Sequence, residues 1–235
     1  MATVVAIMDR AGWSANTDNI VVVDPAQRRL RWIPRDLWCA TINDRVNTAF
    51  ARGGHEQLVA ALAEHGICVQ HSICIRREAT ERACGDLAVT VPVPQRLAFW
   101  YPLSPQSRIE DGRKLVEFFP PSETLTGERI HQWIGARFEP GPVWNPDFRR
   151  ITRQQVFVRC LLGQGFEFGT LLTNRELVRM SSAHAISDLS CVQETWEFDT
   201  LQDVVNARLD GKIVLVHKRV GRLPSRALKR LRALI

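Results

Sequence analysis

The first third of the chain alternates short apolar runs with polar punctuation. Val- and Ile-rich segments at Thr3–Met8, Ile20–Val23, Leu30–Ile33, Ile67–Ile75 and Leu87–Val91 are each bounded by Gly, Pro, Asn or Asp, the pattern of half-buried strands. They read as strands of one sheet. Between the third and fourth, Leu58, Val59 and Leu62 recur at helical spacing from His55 to His65, and Gly66 supplies a stop. Further helices are predicted from Thr126, with Ile130, Trp133 and Ile134 on one side, and from Ile151 to Leu162, ending at Gly163 and Gly165. A fourth is predicted after Thr200, where Asp203 approximates a capping box before Val204, Val205 and Leu209. Strands alternating with helices predict an α/β fold, a central mixed β-sheet flanked by helices in an α/β/α sandwich. Proline-rich loops at 92–105 and 140–146 interrupt the pattern and are expected to rim a cleft.

At 235 residues the chain is long enough for one domain with a full core, and 45% hydrophobic with 24% charged residues is an ordinary globular composition. No apolar run approaches the roughly 20 residues of a membrane-spanning helix, and no secretory leader is readable at the amino terminus. A cytoplasmic location is the expectation for the sequence as it stands. The six cysteines form no Cys-x-x-Cys pair, which suits reduced thiols acting as small buried hydrophobes. His65, Cys68, His71 and Cys74 recur every third residue, but on a strand such positions alternate faces and do not converge on one ion.

The formal charge of +6 points to an anionic partner. Part of that charge lies in the basic tail 218–235, where Leu228, Leu231 and Ile235 would line one side of an amphipathic helix able to touch a membrane surface. No helix-turn-helix or zinc-finger signature accompanies the charge, so no nucleic-acid partner is expected. Two arginine-rich signatures carry more information: Ile33-Pro34-Arg35-Asp36, and Asp147-Phe148-Arg149-Arg150-Ile151-Thr152-Arg153-Gln154-Gln155. A guanidinium offers a planar fork matched to phosphate oxygens, and carboxylates beside it suit a divalent metal. On the helix, Arg150 and Arg153 share a face that Arg149 does not.

Taken in order, these segments resemble the LytR-CpsA-Psr phosphotransferases. The resemblance covers roughly residues 2–165. It is carried by a strand ending in Asp9-Arg10, by Asn16-Thr17-Asp18, by Ile33-Pro34-Arg35-Asp36, by Arg45-Val46-Asn47-Thr48-Ala49-Phe50 with Gly53-Gly54, by Leu125-Thr126-Gly127, by Arg137, and by Asp147-Phe148 with Arg150, Arg153 and Gln154. It implies a catalytic core over 1–165, with 166–217 completing the same domain and 218–235 as the tail. It further implies transfer of a phosphosugar from a polyprenyl-pyrophosphate-linked donor to an acceptor hydroxyl, with Mg2+ assisting. Asp9 and Asp18 would hold the metal, and Arg35, Arg137, Arg150 and Arg153 would clamp the pyrophosphate. Asp36 would orient the arginines or take the acceptor proton, Asp147 would support them, and Gln154 would add a donor.

The chain departs from the family pattern where Asn16 and Gly135 stand in place of arginines. Those departures leave a non-catalytic polyprenyl-phosphate-binding relative as the alternative. The family is membrane-anchored and extracytoplasmic, and the lack of a readable anchor here keeps a soluble pyrophosphate-cleaving enzyme of small-molecule biosynthesis in view.

Overall fold

A computed structural model describes residues 1–9, 12–104, 107, 109–140 and 146–200. The strands before the first long helix are β1 (Thr3–Met8), β2 (Thr17–Asp24), β3 (Arg29–Ile33), β4 (Trp38–Cys39) and β5 (Asp44–Arg45). Then come α1 (Ala49–Ala63), β6 (His71–Ile75), α2 (Arg77–Gly85), β7 (Ala88–Pro92), β8 (Leu97–Pro102), β9 (Arg113–Phe118) and β10 (Ser122–Thr126). The order closes with α3 (Glu128–Gly135), α4 (Pro146–Gly163), β11 (Val178–Met180), α5 (Ala185–Ser190) and β12 (Glu197–Thr200). These form two compact units, one from residues 1–79 with those from 171 onward, the other from residues 80–170.

The first unit is built on a six-stranded mixed sheet of order β11-β6-β1-β2-β3-β12. β1 runs parallel to β6 and antiparallel to β2, and β3 runs antiparallel to β2 and parallel to β12. Alternation along β1 sends Val4, Ala6 and Met8 into one core with Leu58, Ala61 and Leu62 of α1, while Thr3 hydrogen-bonds Asp188 of α5 on the other face. Helices thus cover both faces, as expected of an α/β/α sandwich. α1 is broken at Gly53-Gly54, where Gly54 adopts φ 63° and ψ −150°, a conformation that only glycine takes at little cost. The periodic pattern begins at His55 for this reason.

The second unit has its own core of Val89, Val91, Phe99, Phe118, Leu125, Ile130, Trp133, Phe157 and Leu161. It contains two antiparallel ladders, β7 with β10 and β8 with β9, together with α3 and α4. Three expectations are corrected here. Leu87–Val91 does not join the main sheet, because among the described residues β7 pairs only with β10. The supposed loop at 92–105 holds the strand β8, whose Leu97-Ala98-Phe99-Trp100-Tyr101 run makes a regular ladder with β9 despite flanking prolines. Ile67–Ile75 contributes only His71–Ile75 as strand.

All six cysteines are free; Cys39, Cys74 and Cys84 are buried, and Cys68 and Cys191 are exposed. Burial pushes the Cys84 thiol up to about 11, the behaviour of an inert core group. The helix expected after Thr200, the tail 218–235, Arg10 and most of the 140–146 loop lie outside the described residues.

Candidate active site

Strand register decides where the signature residues meet. Met8 pairs with Thr17, Ile20 with Ile33, and Ile7 with Ile75, so β1 ends, β2 begins, β3 ends and β6 ends at one edge of the first unit's sheet. Asp9, Asp18, Arg35 and Asp36 therefore share that edge. Ligands in open α/β sheets gather at such strand termini.

A β-bulge sharpens the placement. Ile7 faces Asn19 while Met8 faces Thr17, which leaves Asp18 as the extra residue. A bulge bends the strand and re-aims the unpaired side chain. Here the Asp18 carboxylate meets the Arg35 guanidinium, which is only 8% exposed. Beyond that pair, Arg35 Nε lies 3.8 Å from Asp36 Oδ1, and Arg45 donates to the same oxygen at 2.8 Å. Asp36 Oδ2 accepts no hydrogen bond among the described residues. Arg45 was quoted within a motif but given no role by sequence reasoning. It returns to Asp36 because β4 and β5 form a tight reversal pairing Trp38 with Arg45, closed by Asn43 in the left-handed region at φ 48°. The only signal for this was an Asn-Asp turn dipeptide.

Buried polar atoms of this unit without a hydrogen-bond partner among the described residues include Asp9 Oδ1 and both amide atoms of Asn47. Asn47 is fully buried, its main-chain N–H donates to the Arg35 carbonyl at 3.2 Å, and its carbonyl accepts from the Thr17 hydroxyl at 3.2 Å. Like Arg45, it was quoted within a motif but given no role by sequence reasoning. Unsatisfied buried groups are rare and mark places where a ligand, ion or water completes the bonding. Among the described residues no cluster of three or more His, Cys, Asp or Glu could hold a metal. Mg2+ needs only one or two carboxylates, with water and phosphate oxygens completing its shell. The open Asp9 oxygen, with Asp18 on the neighbouring strand, fits that requirement.

Arg137, Arg150, Arg153 and Gln154 belong to the second unit. Arg153 donates from Nε to the Trp133 carbonyl at 3.0 Å and from a terminal nitrogen to the Ala136 carbonyl, and its guanidinium lies 4.2 Å from the Phe99 ring centroid. Its own carbonyl accepts from the Trp133 indole at 3.0 Å. Burial lowers its pKa to about 9. Gln154 donates to the Ile134 carbonyl at 2.9 Å, Arg150 is 1% exposed, and Arg137 lies over the Phe138 ring at 5.6 Å. Arg149, expected at the surface, is half-exposed and pairs with Glu139 at 2.6 Å. Asp147 falls in the first turn of α4.

The family model described as LytR_cpsA_psr matches residues 5–212. The chain belongs to the LytR-CpsA-Psr family. It is accordingly a phosphotransferase of the glycopolymer-transferring, cell-wall-building kind, and the match runs well past residue 165, where the readable motifs stop. Solved structures show the same fold. TagT bound to LI-WTA is 17% identical at a TM-score of 0.59, covering 100% of this chain and 88% of TagT. TagV of B. subtilis is 15% identical at 0.56, over 100% and 94%. TagU of B. subtilis is 16% identical at 0.50, over 85% and 82%. No curated protein sequence matches significantly. No helix among the described residues is long and apolar enough to cross a membrane.

Proposed function

We propose that this LytR-CpsA-Psr chain transfers a phosphosugar from a polyprenyl-pyrophosphate-linked donor to an acceptor hydroxyl, with Mg2+ bound at Asp9 and Asp18. The observation that carries the reading is the gathering of Asp9, Asp18, Arg35 and Asp36 at one strand edge. A relative solved with LI-WTA bound supports a lipid-linked glycopolymer as donor. Pyrophosphate cleavage develops charge on phosphoryl and leaving oxygens, so catalysis there is mainly positioning and electrostatic stabilisation.

In this reading the acceptor oxygen bonds to the sugar-bearing phosphorus, and the bond from that phosphorus to the bridging oxygen breaks. The electron pair leaves on the lipid monophosphate. Arg35, steered by Asp18 and Asp36, faces the developing negative charge, and the open Oδ2 of Asp36 receives the hydroxyl proton. Mg2+, when bound, would neutralise the diphosphate charge. Incubating the protein with a polyprenyl-pyrophosphate-linked glycan and a peptidoglycan acceptor should release polyprenyl monophosphate in a Mg2+-dependent manner. Absence of that product with every candidate donor, from protein that binds pyrophosphate, would leave the non-catalytic binding alternative.

A further inference from the structure

A second cationic feature stands at the same strand edge and belongs to none of the signature motifs. Trp13 follows β1, and its indole is approached by two guanidinium groups: Arg179 of β11 at 4.2 Å from the ring centroid and Arg76, just after β6, at 6.0 Å. Arg76 is neutralised by Glu78. Arg179 is exposed, pairs through its backbone with Cys74, and has no carboxylate within ion-pair distance among the described residues. The indole packs at 6.1 Å from Phe50, whose ring in turn meets His55 edge-on at 5.2 Å. A guanidinium laid on an aromatic face loses little further freedom when its fork of donors engages an anion.

We propose that Arg179, held on Trp13, forms an additional phosphate-binding position at the edge that carries Asp9 and Asp18. This deepens the function proposed above by naming a second phosphate contact, on the donor or on the acceptor glycan. His55 is a built-in reporter. Its pKa lies below the ordinary histidine value, first through burial and then through the Arg179 charge, while its Nδ1 sits 2.5 Å from the Ser72 hydroxyl. A phosphate neutralising Arg179 relieves that repulsion and lets His55 take up a proton more readily.

The test is titration of the 235-residue chain with inorganic phosphate by calorimetry, alongside NMR of the His55 ring. Phosphate should raise the His55 pKa by roughly half a pH unit in the wild type. Arg179→Ala should weaken phosphate binding about tenfold and abolish that response, and Arg179→Lys should retain part of both, all at unchanged melting temperature. In turnover assays a raised KM for the donor alone assigns the phosphate to the donor, and a raised KM for the acceptor alone assigns it to the acceptor. Phosphate affinity and His55 titration identical in wild type and Arg179→Ala would overturn the proposal. Because these binding readings need no turnover, an inactive protein that still shows them sinks only the catalytic reading.

Discussion

The two units use arginine in opposite ways. At the strand edge of the first unit Arg35 and Arg45 meet the carboxylates of Asp18 and Asp36, leaving charge balanced close to oxygens that remain open. In the second unit Arg153 turns inward, spends its donors on the Trp133 and Ala136 carbonyls and lies on Phe99. A guanidinium among carboxylates can exchange an acidic partner for a phosphate. One that caps main-chain carbonyls is bound into the architecture, because releasing it strands buried acceptors. Residue type alone therefore does not assign function.

That contrast can be broken most forcefully at Arg35. Arg35→Ala should reduce phosphosugar transfer about 100- to 1000-fold, measured as polyprenyl monophosphate released, and Arg35→Lys should fall between because it keeps the charge but loses the fork. Arg153→Met tests the other side. Loss of its carbonyl contacts should cost about 2–4 kcal/mol in urea unfolding, and wild-type stability would refute its scaffold role. Asp9→Asn preserves shape while removing a charge from the open oxygen. It should weaken Mg2+ affinity by about tenfold or more in a direct binding assay, with stability changed by less than about 0.5 kcal/mol.

The smallest effect concerns His55. Its folded pKa lies below the ordinary histidine value of 6.5, so as pH falls through 6.5 the unfolded chain takes up the proton first. Stability should decline over that window and level off once the folded protein is also protonated. The partly buried ring limits the decline to below about 1 kcal/mol. Urea midpoints between pH 7 and 5 should show it, and His55→Gln should flatten it.

Much of this was readable from local pattern. β1 was placed to the residue because Thr3–Met8 is a compact apolar run entering a turn, and α4 was signalled by its periodicity and terminal glycines. The β8–β9 ladder escaped notice, since its prolines mimic a loop and its pairing partner lies beyond Gly112. Arg179 was silent, and Asn47, though quoted within a motif, was given no role. Their importance lies in an unfilled amide and an indole beneath a guanidinium, and neither leaves a periodic or spacing signal.

The linear sequence by itself determined β1, β2 and β3, the helices α1, α3 and α4, and the ordered series of motifs that marks the family, because each depends on neighbours a few residues apart. Only the tertiary structure decided which charged groups share an edge, which carboxylate a bulge turns toward Arg35, and which arginines cap carbonyls instead. Those outcomes depend on strand register and on burial, where one residue's slip reverses a side chain's face and an unmatched polar group must find a partner or remain open.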